Sequence, residues 1–111
     1  MDFPLKGWPV SVIAVLKREV TDFIEDAEVE EFYIGRTSNL AASKSRHGCD
    51  DIIGLYETDS ADNAMDVEDA LIRAFYQHSK CSNDVDHSGG GATDYYINYV
   101  YIAIWTNPNE K

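Results

Sequence analysis

Between residues 60 and 78 the apolar side chains recur at the spacing of an α-helix. Asp59 or Ser60 can cap the amino end, so we expect a long helix that reaches about His78. When successive residues are placed about 100° apart, one side of this helix is an apolar stripe made of Ala64, Val67, Leu71, Ile72 and Phe75. The stripe has to pack against another layer of the fold, which the rest of the chain must supply.

Glu68 projects from within this apolar stripe instead of from the opposite side of the helix. Burying a carboxylate is costly unless it finds a positive charge, hydrogen-bond donors or a metal ion. Two explanations remain open. In the structural one, Glu68 lies at a helix edge, where it reaches water or pairs with a basic residue. In the functional one, it binds a cation at the floor of a cleft.

Several segments are rich in β-branched and aromatic residues, which favour strands. The continuously apolar run at residues 10–16 predicts a first strand buried on both faces, and residues 17–30 predict a long connection. Further strands are expected at residues 31–36, 51–57 and 94–105.

A short helix is expected between the second and third of these strands. Thr37 or Ser38 can cap it, and it runs through Asn39 to about His47. Residues 81–93 contain three consecutive glycines and predict a loop.

The length and the charge composition of the chain predict one packed domain with a strongly acidic surface. The chain has 111 residues, enough for a single modest core. Twenty acidic and nine basic residues give a formal net charge of -11, which repels a phosphate backbone. Cys49 and Cys81 occur without a signal-peptide pattern or a long apolar span, so we expect a cytoplasmic protein with free thiols and no contact with membranes.

Four further side chains can share a cleft with Glu68. Tyr33 ends a predicted strand, Arg36 follows Gly35, and the short helix carries Arg46 and His47. A phenol, two cations and an imidazole beside a metal-bound carboxylate suit phosphodiester hydrolysis, because positive charge stabilises the charge that develops on the phosphate. The alternatives also remain open: Tyr33 in the core, Arg36 neutralising Glu30 or Glu31, and His47 at the negative end of a helix dipole.

These residues resemble the GIY-YIG nuclease superfamily over about residues 10–105. Tyr33-Ile34-Gly35 matches the YIG motif letter for letter, and Asn39-Leu40 stands where the short helix of that family begins. Residues 67–72 resemble its glutamate helix, and Asn83 resembles the asparagine that closes its site. The resemblance implies a single α+β domain over residues 1–111, with a central, mainly antiparallel sheet of three to four strands flanked by helices.

The resemblance also implies chemistry. Glu68 would bind one divalent cation, Mg²⁺ or Mn²⁺, Arg36 or Arg46 would hold the phosphate, and Tyr33 or His47 would activate water. The chain departs from the family at two positions. No tyrosine precedes Tyr33, so Ser11-Val12-Ile13 takes the place of the GIY motif, and Ser43 stands where the helix arginine is usual.

Two functions follow from this pattern. The first is a divergent endonuclease that cleaves nucleic acid, DNA above all, and that needs to form oligomers or recruit a partner for affinity. The second is a catalytically inactive protein of the same fold that binds or inhibits a basic protein partner, for example by imitating DNA. The net charge and the two departures favour the second function, whereas the retained Tyr33, Gly35, Glu68 and Asn83 favour the first.

Overall fold

The computed structural model describes residues 2–83 and 97–106 of the chain. Within these ranges three helices alternate with three strands: α1 (Pro9–Glu25), β1 (Val29–Thr37), α2 (Leu40–His47), β2 (Asp51–Thr58), α3 (Ala61–Phe75) and β3 (Asn98–Thr106).

The three strands form one antiparallel sheet in the order β1-β3-β2, so the last strand in sequence is the central one. Gly35 of β1 and Gly54 of β2 both lie opposite Tyr101 of β3. The prediction of a small α+β domain with a mainly antiparallel sheet of three to four strands and flanking helices is therefore confirmed.

Helices cover both faces of the sheet, but unequally. The main core lies between one face and the helices α1 and α3, and it contains Val100, Ile102 and Ile104 of the central strand. Because side chains alternate along a strand, Tyr101 and Ala103 face the other way, into a smaller cluster with Cys49. The eight-residue helix α2 contacts β2 and β3, and its Leu40 packs into that second cluster.

Both outer strands have further backbone partners, which matters because an open strand edge invites pairing with other chains. Along β2, the backbone N–H of Leu5 donates to the Leu55 oxygen, and the N–H of Glu57 donates to the Leu5 oxygen, each at 2.9 Å. Along β1, the N–H of Phe32 donates to the oxygen of Lys80 and the N–H of Ser82 donates to the oxygen of Phe32. Leu5 thus covers part of the outer edge of β2, and the segment that contains Lys80 and Ser82 covers part of the outer edge of β1.

The prediction of a strand at residues 10–16 is wrong, because these residues belong to α1, as do most residues of the predicted connection at 17–30. Pro9 occupies the first turn, where its missing N–H costs nothing. The buried side chains of α1 recur every four residues: Val12, Leu16, Val20 and Ile24. The apolar run at 10–16 conceals this period because Val10, although apolar, is exposed.

The other elements were predicted more closely. The strands at 31–36 and 51–57 are confirmed, and Ser60 caps α3 by accepting a hydrogen bond from the Asn63 N–H. Asn39, and neither Thr37 nor Ser38, caps α2. The helix α3 ends at Phe75, short of His78. The final strand begins at Asn98, and residues 94–96 and most of the predicted loop at 81–93 lie outside the described residues.

Candidate functional site

Glu68 and Arg36 form an ion pair inside the main core. The Arg36 Nε donates to the Glu68 Oε1 at 2.8 Å, and the two side chains are 6% and 0% exposed. Glu68 is therefore buried in the apolar stripe of α3, as predicted. The carboxylate pairs with a basic residue, as in the structural explanation, but it does not lie at a helix edge, because Glu68 is fully buried. The sequence also allowed Arg36 to neutralise Glu30 or Glu31, but the acidic residue in this contact is Glu68.

One oxygen of the Glu68 carboxylate is engaged by Arg36. Mg²⁺ prefers octahedral oxygen ligands and retains several waters. Here Oε1 of the fully buried carboxylate accepts a guanidinium N–H. Within residues 2–83 and 97–106, no group of three or more histidine, cysteine, aspartate or glutamate side chains could hold a metal ion.

Three other predicted residues meet on the opposite face of the sheet. The ring centroids of Tyr33 and His47 are 4.8 Å apart. The Nε2 atom of His47 lies 2.7 Å from the hydroxyl oxygen of Tyr101, and Trp105 contacts the His47 ring edge-on. Arg46 donates to the Ser43 hydroxyl at 3.3 Å, and its charge is close enough to affect the pKa values of Tyr33, His47 and Tyr101. We name the group formed by Tyr33, Arg46, His47, Tyr101 and Trp105 the histidine cluster.

Alternation along β1 separates the histidine cluster from the ion pair. Tyr33 and Arg36 are three residues apart, so their side chains leave the strand on opposite faces. The predicted residues therefore do not form one cleft: Arg36 and Glu68 lie in the main core, whereas Tyr33, Arg46 and His47 lie beside α2.

Burial favours the uncharged forms of the two phenols and the imidazole in the histidine cluster. Burial, followed by the charge of Tyr33, raises the pKa of Tyr101 to about 12. Burial and, second, the Glu68 carboxylate raise the pKa of Tyr33. Burial and the nearby Arg46 charge lower the pKa of His47. Near neutral pH both phenols are protonated and the imidazole is neutral, so the Tyr101 hydroxyl can donate to His47 Nε2.

Tyr101 is a member of the cluster that the sequence did not indicate, and it explains the glycine of the YIG motif. A Cβ atom built on Gly35 would lie 2.5 Å from the Tyr101 hydroxyl oxygen and 2.7 Å from its Cζ atom. The phenol ring thus covers the glycine on the neighbouring strand. The only sequence signal for this pair is a glycine within a strand pattern, which marks a close approach by another group.

Asn83 has a structural contact of its own. Its Oδ1 accepts from the backbone N–H of Ile34 at 2.7 Å, and its Nδ2 donates to the backbone oxygen of Ile34 at 2.8 Å. The side-chain amide therefore satisfies both backbone groups of one residue on the outer edge of β1. This position lies at the edge of the sheet, apart from the histidine cluster on its face.

Comparison with known proteins found no matching family model, no similar curated protein and no similar solved structure. The resemblance to the GIY-YIG superfamily therefore stays a prediction. Ser11, Val12 and Ile13 lie in α1, so the strand proposed to replace the GIY motif is not formed by them. Among the helices of residues 2–83 and 97–106, none has the length and apolar character needed to cross a membrane.

Proposed function

We propose that this chain is a non-catalytic binding protein whose acidic surface engages a basic protein partner. The observation that carries the proposal is a dense group of acidic residues where α1 ends and β1 begins. Its five members are all exposed and lie within seven positions: Glu25, Asp26, Glu28, Glu30 and Glu31. We name this group the acidic tip.

The acidic tip opposes the stability of the fold. The carboxyl end of a helix carries partial negative charge, which favours basic residues in the last turn. The last turn of α1 has none and ends in Glu25 and Asp26. The Lys80 ammonium donates to the backbone oxygens of Ile24 and Asp26, at 2.8 and 3.2 Å, and so stabilises the helix end. Charge that a fold keeps against its own local preference is typical of a functional surface.

The ion pair in the core supports the same proposal. A carboxylate on the buried side of a helix has two explanations, pairing with a basic residue or binding a cation in a cleft. Pairing with Arg36 accounts for Glu68 without any reaction. What distinguishes this protein chemically is then its negative surface, which attracts positively charged partners and accelerates their association.

Binding of a fluorescent oligolysine peptide tests the proposal. The variant Glu28→Gln/Glu30→Gln/Glu31→Gln removes three charges of the acidic tip, whereas Asp2→Asn/Asp66→Asn/Asp69→Asn removes three charges elsewhere. At about 0.5 kcal/mol for each exposed charge, we expect the tip variant to bind about tenfold more weakly. The control variant should lose much less, and binding should weaken as salt is added. Equal loss in both variants would contradict a role for the tip.

A second function, cleavage of nucleic acid, is favoured by the histidine cluster, where a cation, an imidazole and two phenols lie together. It is tested by incubating plasmid, linear duplex, single-stranded DNA and RNA with Mg²⁺ or Mn²⁺. Cleavage that disappears in both His47→Ala and Arg46→Ala, with circular dichroism unchanged, would support the nuclease and overturn the non-catalytic proposal. Cleavage that persists in both variants would indicate a contaminant.

A further inference from the structure

A groove of about 440 Å³ lies at the other end of α1 from the acidic tip. It is bounded by the segment that precedes α1 and by the junction of β2 with α3. The lining residues that matter here are Lys6, Trp8, Glu57, Asp59, Asn63 and Ile97. Its volume is in the range of sites that bind small molecules or single side chains. Since α1 has 17 residues, roughly 25 Å separate this groove from the tip.

Backbone contacts hold the groove in shape. The hydrogen bonds between Leu5 and β2 fix the amino-terminal segment against the sheet, and the Tyr56 hydroxyl donates to the backbone oxygen of Gly7. Gly7 has a φ angle of 119°, which other residues rarely adopt, and this turn leads into Trp8 at the start of α1. Trp8 therefore projects from an anchored segment.

The groove combines apolar and acidic groups. Trp8 is 71% exposed and Ile97 is 45% exposed, although both side chains are large and apolar. Glu57 and Asp59 contribute carboxylates beside them. An indole face attracts cations, and a carboxylate binds a guanidinium through paired hydrogen bonds. Together these groups suit a flat cation better than an uncharged or negatively charged ligand.

One cation of the chain itself lies in the groove. The Lys6 Nζ atom is 3.7 Å from the Glu57 Oε2 atom, and the Lys6 side chain is largely exposed. This separation is long for an ion pair, so a better-placed cation can displace Lys6 at little cost. The amino end of α3 does not make the groove an anion site, because the Asn63 N–H already donates to the Ser60 hydroxyl and Asp59 adds negative charge.

We propose that this groove binds an arginine side chain of a partner polypeptide. The guanidinium stacks on the Trp8 indole and pairs with Glu57 and Asp59, while the aliphatic part of the side chain contacts Ile97. Lysine fits less well, since its ammonium is compact, strongly hydrated and unable to stack. The inference rests on the proposed function, because it names arginine as a residue type that the basic partner presents. The groove itself shares no residue with the acidic tip.

Fluorescence of Trp8 provides the test. The chain has two tryptophans, Trp8 and Trp105, so Trp105→Phe leaves a signal from the groove alone. The probes are capped tripeptides, acetyl-Gly-X-Gly-amide, in which X is arginine, lysine, citrulline or norleucine. We expect arginine to bind at least about threefold more tightly than lysine, and citrulline, which has the shape of arginine without its charge, to bind about tenfold more weakly than arginine. Equal binding of norleucine would assign the groove to apolar ligands and overturn the proposal.

Variants separate this proposal from the proposed function. Since Trp8→Ala removes the reporter, its binding is measured by calorimetry, and we expect Trp8→Ala and Asp59→Asn each to weaken arginine binding about tenfold. Lys6→Ala should strengthen it, whereas the triple variant of the acidic tip should leave it unchanged. Undiminished binding by both groove variants would overturn the arginine site even if the tip still bound oligolysine. Dimerisation of the chain that is lost in Trp8→Ala would assign the groove to a second copy and would also overturn it.

Discussion

The Nε atom of Arg36 lies 2.8 Å from the Oε1 atom of Glu68 in the main core, although the two residues are 32 positions apart in sequence. The contact links the outer strand β1 to α3. Two opposite charges removed from water are tolerable only as a pair, since each would otherwise retain a large desolvation cost. The pair thus fixes the relation of the helix to the sheet.

Replacing Glu68 with glutamine should destabilise the protein strongly. Glu68→Gln keeps the size of the side chain but removes the negative charge that lies 2.8 Å from the buried Arg36 Nε atom, so we expect the free energy of unfolding to fall by about 3–5 kcal/mol. Asp66→Asn on the same helix changes an exposed residue and should alter it by less than about 0.5 kcal/mol. Urea denaturation followed by circular dichroism measures both.

The double variant Arg36→Met/Glu68→Leu removes both charges from the same place in the core. Apolar replacements of a buried ion pair are often neutral or stabilising, so we expect this variant to regain most of the stability lost in Glu68→Gln. A double variant as unstable as Glu68→Gln would show that packing of these side chains, and not their charge, accounts for the loss.

Much of the fold could be predicted from local patterns. The strands that contain Tyr33 and Ile53 are confirmed, and Glu68 lies within the apolar stripe where helical spacing puts it, because alternation and helical spacing record which side faces the core. The error at residues 10–16 arose because β-branched residues favour strands in any short window. The four-residue spacing from Val12 to Ile24 becomes visible only over the full length of α1.

Alanine at position 35 should conflict with Tyr101. The added Cβ would lie 2.5 Å from the hydroxyl oxygen and 2.7 Å from the Cζ atom of a fully buried ring, so we expect Gly35→Ala to cost about 1–3 kcal/mol. Gly54→Ala is the matched control on the other outer strand, because its closest contact would be the Leu40 Cδ1 atom at 2.9 Å, at the end of a flexible side chain. Thermal unfolding compares the two, and equal costs would contradict the role of the ring.

Removing the Asn83 amide should loosen the edge of β1. Asn83→Ala leaves the backbone N–H and oxygen of Ile34 without their side-chain partners, which costs about 1–3 kcal/mol. Amide hydrogen exchange of Ile34 should become faster than that of Ile102 on the central strand. Ser79→Ala, an exposed change in the same segment, serves as the control. Unchanged exchange at Ile34 in Asn83→Ala would contradict this prediction.

The candidate site was less predictable than the fold, for a physical reason. The resemblance to the GIY-YIG superfamily implies that Arg36, Glu68 and Asn83 share one site, but it does not show which groups satisfy one another. Arg36 faces the core, where it pairs with Glu68 on another element of the fold. Asn83 meets Ile34 from 49 positions away, and Tyr101 meets His47 from 54 positions away. Such contacts depend on the order of strands in the sheet, which local patterns do not encode.

The histidine cluster should make stability depend on pH in a defined direction. Burial, followed by the charge of Arg46, lowers the pKa of His47 in the folded protein below its ordinary value of 6.5. As the pH falls, the unfolded chain therefore binds the proton first, and the folded state loses stability. The contribution is fully present above pH 6.5 and is lost as the pH falls through the lowered pKa.

A comparison with His47→Gln isolates this contribution from the many carboxylates, which are common to both proteins. We expect the difference in the free energy of unfolding between wild type and variant to be constant above about pH 7 and to shift against the wild type as the pH falls towards 5. Urea denaturation at pH 8, 7, 6 and 5 measures it. A difference that stays constant over this range, or that shifts in favour of the wild type at low pH, would mean that folding does not lower the pKa of His47.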